Sequence, residues 1–380
     1  MVRNTLVALT CLGVTLACAQ PTCLAKSAVV IDARSGRTLF DHNADQALPP
    51  ASTTKVLTAL VVARRTKMDE TVYVPADAVG IEGSSFHLRP AEALTVRDLL
   101  YALMLRSGND VAHTLAVHVA GSDESFADLM NEEAGKLGCA RSRFFNPHGL
   151  TVPGHVTSAR DLAKIAIEAL QDKGLAEIVA TRRHFVDRGA TSKDTLLENR
   201  NTWLKRDPSA IGVKTGRTNE AGQCFVGAAE RPEGKIVTAI LGSTNWLSDQ
   251  EALVAYAFSE FRESVVAPIG AEAGRIRVER GTAETVPIGV RAEFRAMARD
   301  GEEWALVPET AVLRAPIALG ASVGKGVFRA PDGFEAEVEL VALSAVDESF
   351  LSRYGYWLLG VLSASAVGLG LLALRARRAA

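Results

Sequence analysis

The stretch from Pro49 to Val62 reads Pro-Pro-Ala-Ser-Thr-Thr-Lys-Val-Leu-Thr-Ala-Leu-Val-Val, and it predicts the point where a helical block begins. The two prolines end the preceding segment, and apolar residues recur at helical spacing from Val56 onwards. We therefore expect a helix to begin near Ser52. Because Ser52 and Lys55 lie three positions apart at the start of that helix, their side chains share one face.

The pair formed by Ser52 and Lys55 has the composition of an activated nucleophile. A serine hydroxyl is a weak nucleophile until a neighbouring base takes its proton. Lys55 is followed by apolar residues, and a lysine anchored in an apolar helix loses solvation, which lowers its pKa towards the neutral form. The electropositive start of the helix also favours negative charge that develops nearby.

A second polar segment, Ser107-Gly108-Asn109, lies between two helical stretches, and we expect it to form a tight loop. Its hydroxyl can relay a proton to a leaving amine, and the Asn109 amide can hold a substrate carbonyl. Taken alone, the segment is more typical of a helix cap.

A third segment, Lys214-Thr215-Gly216, lies on a predicted strand. Gly216 has no side chain, so a substrate backbone can approach the strand closely. Lys214 and Thr215 can then bind an anionic group, such as the terminal carboxylate of a peptide. Together the three segments supply the components of acyl transfer through a covalent acyl-enzyme.

The order of strand-like and helical patterns predicts an α+β fold. A hairpin is expected from Ser27 to Phe40, with its turn at Ser35-Gly36. Helices are expected at Val96–Leu105, Val111–Ala120, Phe126–Leu137 and Ala159–Leu170. Three strands and a helix are expected at Ile211–Thr215, Gly222–Ala229, Lys235–Gly242 and Gln250–Phe261. This order predicts one antiparallel sheet that contains both the hairpin and the last three strands, with helices packed on it and a helical subdomain beside it.

After about residue 264 the chain changes to short runs rich in Val, Ile and Phe, separated by Gly, Pro and charged pairs. These runs are Arg275–Val278, Val286–Phe294, Glu303–Val307 and Phe334–Val341. They predict a small all-β domain without a nucleophile–base pair, for which we expect a spacer role. The expected domains are a catalytic domain, residues 20–263, and a small β-rich domain, residues 264–345.

The first apolar segment has the three parts of a signal peptide. Arg3 is followed by an apolar run from Leu6 to Ala17 and by the small residues Ala17 and Ala19 around Cys18, so residues 1–19 are expected to be removed. The alternatives are an uncleaved membrane anchor, for which the run is short, and lipid attachment at Cys18.

The last apolar segment, residues 356–374, carries no charge, and as a helix it spans about 28 Å, close to the hydrocarbon thickness of a bilayer. Aromatic rings at its start favour the membrane interface: Tyr354, Tyr356 and Trp357. The basic tail, residues 375–380, is expected in the cytoplasm by the positive-inside rule. The chain from Gln20 to Phe350 is then expected outside.

Composition narrows the range of partners. Hydrophobic residues make up 48% of the chain and charged residues 23%, as in globular proteins. The formal net charge is -2 and no long basic run occurs, which argues against a nucleic-acid partner.

Removal of the signal peptide leaves three cysteines, an odd number whose pairing stays open: Cys23, Cys139 and Cys224. His148 and His155 fit no short zinc motif, so we expect no metal and no cofactor.

At the three polar segments the chain resembles the serine-type D-Ala-D-Ala carboxypeptidases, the low-molecular-mass penicillin-binding proteins. The resemblance covers about residues 25–262. Three more segments are similar to the family: Asp32-Ala33-Arg34-Ser35-Gly36-Arg37, Asn146-Pro147-His148-Gly149-Leu150 and Ala221-Gly222-Gln223-Cys224. Two positions depart from the family pattern. Thr53 stands where a larger apolar residue is common, and Arg217 stands where relatives often carry histidine.

The resemblance implies a β-lactamase/transpeptidase-like domain that hydrolyses the bond between the two terminal D-alanines of a peptidoglycan stem peptide. It implies Ser52 as the nucleophile, Lys55 as its base, Ser107 as the proton relay and Asn109 as a substrate-orienting group. It implies Lys214, Thr215, Gly216 and Arg217 as substrate-binding residues, with the backbone N–H groups of Ser52 and Arg217 as the oxyanion hole. It further implies acylation by β-lactams and a bacterial cell membrane location, with the catalytic domain on the extracytoplasmic side.

Several functions share these residues. A DD-endopeptidase or a transpeptidase uses the same acyl-serine chemistry and differs in its groove and in the acceptor. A class A β-lactamase needs a glutamate beside the deacylating water, and the glutamates between Ser107 and Lys214 lie in no matching motif. A non-catalytic peptidoglycan-binding protein with this fold is the alternative outside enzymes.

Overall fold

The computed structural model describes residues 20–188 and 195–379, so the predicted signal peptide, residues 1–19, lies outside the described residues. Strands β1 (Ser27–Asp32) and β2 (Thr38–His42) form the predicted hairpin. A 3-10 turn, Ala51–Thr54, leads directly into helix α1 (Lys55–Ala63), which confirms a helical start near Ser52.

A mostly helical block follows and forms the expected subdomain. Its elements are β3 (Thr71–Tyr73), β4 (Ala93–Thr95), α2 (Val96–Tyr101), α3 (Asn109–Ala120), α4 (Asp123–Lys136), α5 (Ala159–Ala169), α6 (Lys173–Ala180), β5 (Arg183–Phe185) and β6 (Leu196–Glu198). Short 3-10 turns lie at Ala76–Ala78 and Thr202–Lys205. The helices α4, α5 and α6 begin at side-chain caps, in which Ser122, Ser158 and Asp172 accept a backbone N–H three residues on.

Two features of this block differ from the sequence prediction. The predicted helix Val96–Leu105 is α2 followed by a π-helical turn, Ala102–Arg106, and this turn ends at Ser107 in a left-handed conformation with φ of 69°. Helix α6 and the hairpins β3–β4 and β5–β6 are absent from the prediction, because such short elements show too little of a period to be recognised.

The three predicted strands and the closing helix are β7 (Ala210–Thr218), β8 (Gly222–Arg231), β9 (Gly234–Ser243) and α7 (Trp246–Glu260). They join the first hairpin in one antiparallel sheet of order β2-β1-β9-β8-β7, as predicted. Strand β7 is therefore an edge strand, and one of its edges is open to a bound chain.

Both faces of this sheet are covered. In β1, Val29 and Ile31 belong to the hydrophobic cluster that contains α1 and α5, whereas Ala28 and Val30 belong to a second cluster under α7. Alternate residues of a strand point to opposite faces, so a strand buried on both sides is continuously apolar. This explains the unbroken apolar run in β1.

The third part of the chain is rich in short strands, as expected. Its elements are β10 (Arg262–Ala267), β11 (Gly274–Glu279), β12 (Thr285–Val290), β13 (Phe294–Ala298), β14 (Ala305–Pro308), β15 (Val312–Arg314), β16 (Ser322–Arg329) and β17 (Glu335–Ala342). Six of them form a sheet of order β14-β16-β17-β12-β11-β15. The other two, β10 and β13, pair with each other.

Details of this part differ from the prediction. The predicted run Val286–Phe294 contains most of β12 and only the first residue of β13. Strand β16 is absent from the prediction, because Gly324, Lys325 and Gly326 interrupt its apolar pattern. Strand β10 crosses the position between residues 263 and 264 that the sequence suggests as a domain boundary.

Arg37 joins the first hairpin to the β-rich part. Its side chain is 1% exposed, and its Nη2 lies 2.7 Å from Glu302 Oε1 and 2.8 Å from Asp332 Oδ2. Its Nη1 donates to the carbonyl of Met297 at 2.9 Å, and its guanidinium lies 5.1 Å from the centre of the Trp304 ring. A buried cation is tolerated only when it is paired in this way, so Arg37 fixes how the two parts meet.

The chain ends in helix α8 (Phe350–Ala379). Within it, Phe350–Ala376 is long and apolar enough to cross a membrane, with a mean hydropathy of 2.0 and no burial against the rest of the chain in its most apolar window. The predicted segment 356–374 lies inside this helix. The three described cysteines are free thiols, and Cys139 and Cys224 are buried.

Replacing Arg37 with alanine is expected to lower the free energy of unfolding by about 3 kcal/mol, because two carboxylates lose their buried partner. Arg34→Ala is the matched control: Arg34 is 59% exposed and pairs with Glu263 at the surface, so a change of at most about 1 kcal/mol is expected. Denaturant unfolding followed by tryptophan fluorescence measures both variants. Equal effects of the two substitutions would contradict this role of Arg37.

Candidate active site

Lys55 lies at the centre of the site. Its side chain is fully buried in the first turn of α1, and its Nζ lies 3.0 Å from Ser52 Oγ. The same nitrogen donates to Asn109 Oδ1 at 2.7 Å and to the backbone carbonyl of His148 at 2.6 Å. Three segments that are far apart in sequence therefore meet at one amine.

Burial lowers the pKa of Lys55 well below its ordinary value. The positive charges of Lys214 and Arg200 lower the pKa further, and the negative charge of Asp110 opposes them. The net result favours the neutral amine, which is the form that can accept a proton.

The hydrogen bonds direct that amine at the serine. A neutral amine has two N–H donors and one lone pair. The oxygens of the Asn109 amide and of the His148 carbonyl can only accept, so they take the two donors and leave the lone pair for the Ser52 hydroxyl. This geometry suits proton transfer from Ser52 to Lys55.

The loop Asn146–Leu150 is built to present its carbonyl groups to α1. Asn146 Oδ1 accepts the N–H of Gly149 at 2.7 Å, and Asn146 Nδ2 donates to the carbonyl of Leu150 at 2.9 Å. Gly149 has φ of 86°, and a Cβ atom there would lie 1.9 Å from the carbonyl oxygen of Ala51. Only glycine fits so close to the turn that carries Ser52.

The second polar segment is held rigidly beside Lys55. Asn109 donates from its backbone N–H to the carbonyl of Ser84 and from Nδ2 to the carbonyl of Glu82, both at 2.6 Å. Ser107 follows the π-helical turn, and its buried Oγ has no hydrogen-bond partner within the described residues. The amide is therefore fixed, whereas the hydroxyl is available to move a proton.

Strand β7 carries the third segment along its open edge. Lys214 is buried and donates to the carbonyl of Thr215 at 3.0 Å, and burial together with the charge of Arg200 lowers the pKa of Lys214 to about 7. A Cβ atom on Gly216 would lie 2.9 Å from the backbone nitrogen of Ser52. The missing side chain thus lets β7 approach the turn that carries the serine.

The predicted site residues converge on one cleft of about 580 Å³. Five of them line it: Ser52, Ser107, Thr215, Gly216 and Arg217. The other three are buried and bond to, or adjoin, the lining residues: Lys55, Asn109 and Lys214. The arrangement places a serine hydroxyl beside a buried amine, with a second hydroxyl and a lysine-bearing strand edge in the same cleft, and such a set of groups is compatible with acyl transfer.

Residues 15–245 match the protein family described as D-alanyl-D-alanine carboxypeptidase. This chain belongs to that family. It is 29% identical over 331 residues to the D-alanyl-D-alanine carboxypeptidase DacF of Bacillus subtilis (strain 168), a match that covers 84% of this chain and 85% of the relative.

Solved structures agree with the family assignment. Penicillin-binding protein 5 from Haemophilus influenzae matches with a TM-score of 0.73 and 26% identity, over 87% of this chain and 99% of that one. A mutant of the Streptomyces K15 DD-transpeptidase matches with a TM-score of 0.59 and 31% identity, over 63% of this chain and 100% of that one. The chain is thus a serine D-Ala-D-Ala carboxypeptidase with a transpeptidase-like α+β fold, and its last helix fits a membrane anchor.

The cleft of the carboxypeptidase contains residues that sequence reasoning missed. Arg200 lines it and donates from Nη1 to Ser84 Oγ at 2.6 Å, and Trp246 lines it from the start of α7. Arg200 belongs to no motif, because it reaches the cleft from the loop after β6. Its only sequence signal is an arginine in a polar loop, which is common at any surface.

His148 and His155 lie near the site, and His155 forms hydrogen bonds that hold two segments of the chain together. His155 Nδ1 accepts the N–H of Phe145 at 3.1 Å, so its Nε2 carries the proton and donates to Thr54 Oγ1 at 3.1 Å. Burial lowers the pKa of His155 to about 4 and that of His148 to about 3, which keeps both neutral. No group of three or more His, Cys, Asp or Glu side chains in residues 20–188 and 195–379 is placed to hold a metal ion.

Proposed function

We propose that the carboxypeptidase removes the terminal D-alanine of peptidoglycan stem peptides through an acyl-enzyme on Ser52. The observation that carries this proposal is the buried Lys55, whose Nζ lies 3.0 Å from Ser52 Oγ while its other hydrogen-bond partners are carbonyl oxygens. Lys55 takes the proton as Ser52 attacks the carbonyl of the penultimate D-alanine. The negative charge on that oxygen is accepted by the backbone N–H groups of Ser52 and Arg217.

The acyl-enzyme forms when the peptide bond breaks and the amine of the terminal D-alanine leaves. Ser107 donates its proton to that amine and regains one from Lys55, which balances the proton taken from Ser52. Asn109 orients the substrate. Water then attacks the ester carbonyl as Lys55 takes one of its protons. The bond to Ser52 Oγ breaks, and Lys55 returns that proton to Oγ, which restores the Ser52 hydroxyl and the neutral amine.

The carboxylate of the terminal D-alanine is bound at the open edge of β7. Lys214 and Thr215 come from the strand itself, and Arg200 lines the same cleft from the loop after β6. Charge-assisted hydrogen bonds to a carboxylate are stronger than neutral ones, so this contact fixes which peptide bond faces Ser52. β-Lactams acylate the same serine because they resemble the substrate.

Transfer of the acyl group to an amine is a second candidate reaction, supported by the 31% identity to a DD-transpeptidase. Hydrolysis and transfer share every step up to the acyl-enzyme and differ only in the acceptor. Cleavage of cross-links as an endopeptidase differs only in the leaving amine. Analysis of the acyl product in the presence of an added amino acceptor separates the two reactions. Hydrolysis yields the shortened peptide with a free carboxylate, whereas transfer yields its amide with the acceptor.

Ser52→Ala is expected to abolish both D-alanine release from a peptide ending in D-Ala-D-Ala and covalent labelling by fluorescent penicillin, because it removes the hydroxyl that lies 3.0 Å from the proposed base, Lys55 Nζ. Ser264→Ala, at a half-buried position of β10 outside the cleft, is the matched control and is expected to keep both activities. Labelling of the Ser52→Ala protein would contradict the proposed nucleophile.

The pH dependence of kcat/KM is expected to follow the protonation of Lys55. Since the pKa of Lys55 is lowered, the amine is neutral well below pH 10.5, and kcat/KM falls only as the pH drops through that lowered pKa. Lys55→Arg keeps a cation but cannot supply a neutral base, so it is expected to reduce kcat by about 100-fold or more. Retention of activity in Lys55→Arg would contradict the assignment of Lys55 as the base.

The proposed chain consists of two extracytoplasmic domains and one membrane-spanning helix. Residues 20–263 form the catalytic domain, and residues 264–345 form a β-rich domain that holds it away from the bilayer. Helix α8 crosses the membrane once. Its basic end, which begins at Arg375, lies in the cytoplasm, so the cleft faces peptidoglycan outside.

Reporter fusions test this topology. Alkaline phosphatase fused after Phe350 is expected to be active, because it is exported with the catalytic domain, whereas the same enzyme fused after Ala380 is expected to be inactive in the cytoplasm. The opposite pattern would contradict the proposed orientation.

A further inference from the structure

The cleft does not end at the position proposed for the terminal carboxylate. Beyond Thr215 it continues along β7 and across to the start of α7. The residues lining this continuation are Arg217, Asn219, Gln223 and Trp246, and together they are called the Arg217–Trp246 pocket.

The direction of the bound peptide decides which part of the substrate reaches this pocket, an argument that rests on the proposed function. The leaving D-alanine lies at Lys214 and Thr215, and the attacked carbonyl lies at the backbone N–H of Arg217. The preceding residues of the stem peptide must therefore run past Arg217 towards Asn219. The side chain of the third residue, next to the penultimate D-alanine, is the first that can enter the pocket.

The walls of the pocket are set by the strand register. Arg217 lies opposite Gln223, and Thr215 lies opposite Phe225, so these four side chains share the face of the sheet that α7 covers. The Trp246 ring stacks on Phe225 with centres 4.2 Å apart, and Trp246 is one of the residues that line the cleft. Trp246 also donates its backbone N–H to Gln223 Oε1 at 3.2 Å, so the start of α7 is tied to β8.

The charged side chains that line the cleft are positive. Arg217 is exposed, and within the described residues no carboxylate pairs with its guanidinium. None of the described side chains that line the cleft is acidic, although Glu82 and Glu220 lie close by in the chain. A substrate group that enters here thus meets a free cation and an aromatic face, and finds no lining carboxylate for an ammonium group.

We propose that the Arg217–Trp246 pocket selects stem peptides whose third residue is a diamino-dicarboxylic acid with a free amino-acid end. The carboxylate of that end pairs with the guanidinium of Arg217, and its ammonium group lies against the face of Trp246. A lysine at the third position offers the ammonium group alone, beside an arginine that repels it. Amidation of the side-chain carboxylate likewise removes its ion pair with Arg217.

Three peptides of the form L-Ala-γ-D-Glu-X-D-Ala-D-Ala test the proposal, with X as meso-diaminopimelate, its side-chain carboxamide, or L-lysine. The carboxylate of D-glutamate is common to all three. The full-length protein in detergent is expected to release D-alanine from the diaminopimelate peptide with a kcat/KM about tenfold higher than from the other two, as for a hydrogen bond to a charged group.

Arg217→Gln keeps the backbone N–H and removes the charge, so it is expected to reduce this preference to about twofold or less, mainly through KM. Arg277→Gln makes the same chemical change on the exposed surface of β11 and is expected to keep the full preference. The carboxamide peptide makes the equivalent deletion on the substrate, so the test does not depend on the folding of any variant.

Equal kcat/KM for the three peptides with the unaltered protein would overturn this inference and leave the proposed function intact. A preference that survives in Arg217→Gln would overturn the role of Arg217. Absence of D-alanine release from every peptide would overturn the proposed function, and this inference with it.

Discussion

The burial of a single amine, that of Lys55, constrains the rest of the active site. An ammonium group with so little solvent is costly, and the chain can reduce that cost by letting the amine become neutral or by surrounding it with acceptors. In this structure burial lowers the pKa of Lys55, and acceptors surround its amine. The acceptors are carbonyl oxygens supplied by a loop and by an asparagine, and only the serine hydroxyl is left to donate to the amine.

That arrangement needs several segments to approach within a few ångströms, and small residues occur where they meet. Gly149 allows the carbonyl-presenting loop to lie against Ala51, and Gly216 allows the edge strand to lie against Ser52. The left-handed Ser107 ends a π-helical turn that brings its hydroxyl into the same cleft. The proposed catalytic groups are thus placed by close backbone contacts, which tolerate little substitution.

The sequence predicts the elements whose apolar pattern repeats over many residues and the residues that belong to a clear motif. The hairpin, the three central strands and the four long helical stretches lie near their expected positions, because each has several apolar residues in register. The eight motif residues also come together as expected. The π-helical turn after α2 escapes prediction, since it keeps a helical pattern while changing its hydrogen bonds.

Other features escape prediction because they depend on tertiary contacts. Arg200 reaches the cleft through the path of a loop, and Arg37 acquires its importance only when Glu302 and Asp332 close around it. A charged residue at the surface and one buried between two parts of the chain look alike in a single sequence. The place where β10 links the two parts is likewise set by pairing with β13, which no local pattern reveals.

NMR of protein labelled at lysine 13Cε shows directly whether the Lys55 amine is neutral in the resting enzyme. The Lys55 signal is assigned as the one missing from Lys55→Arg, and its shift is followed with pH. We expect a resonance that titrates well below the ordinary lysine pKa of 10.5. If the Lys55 amine instead stays protonated up to pH 10.5, Ser52 has no neutral base, and the proposed role of Lys55 is wrong.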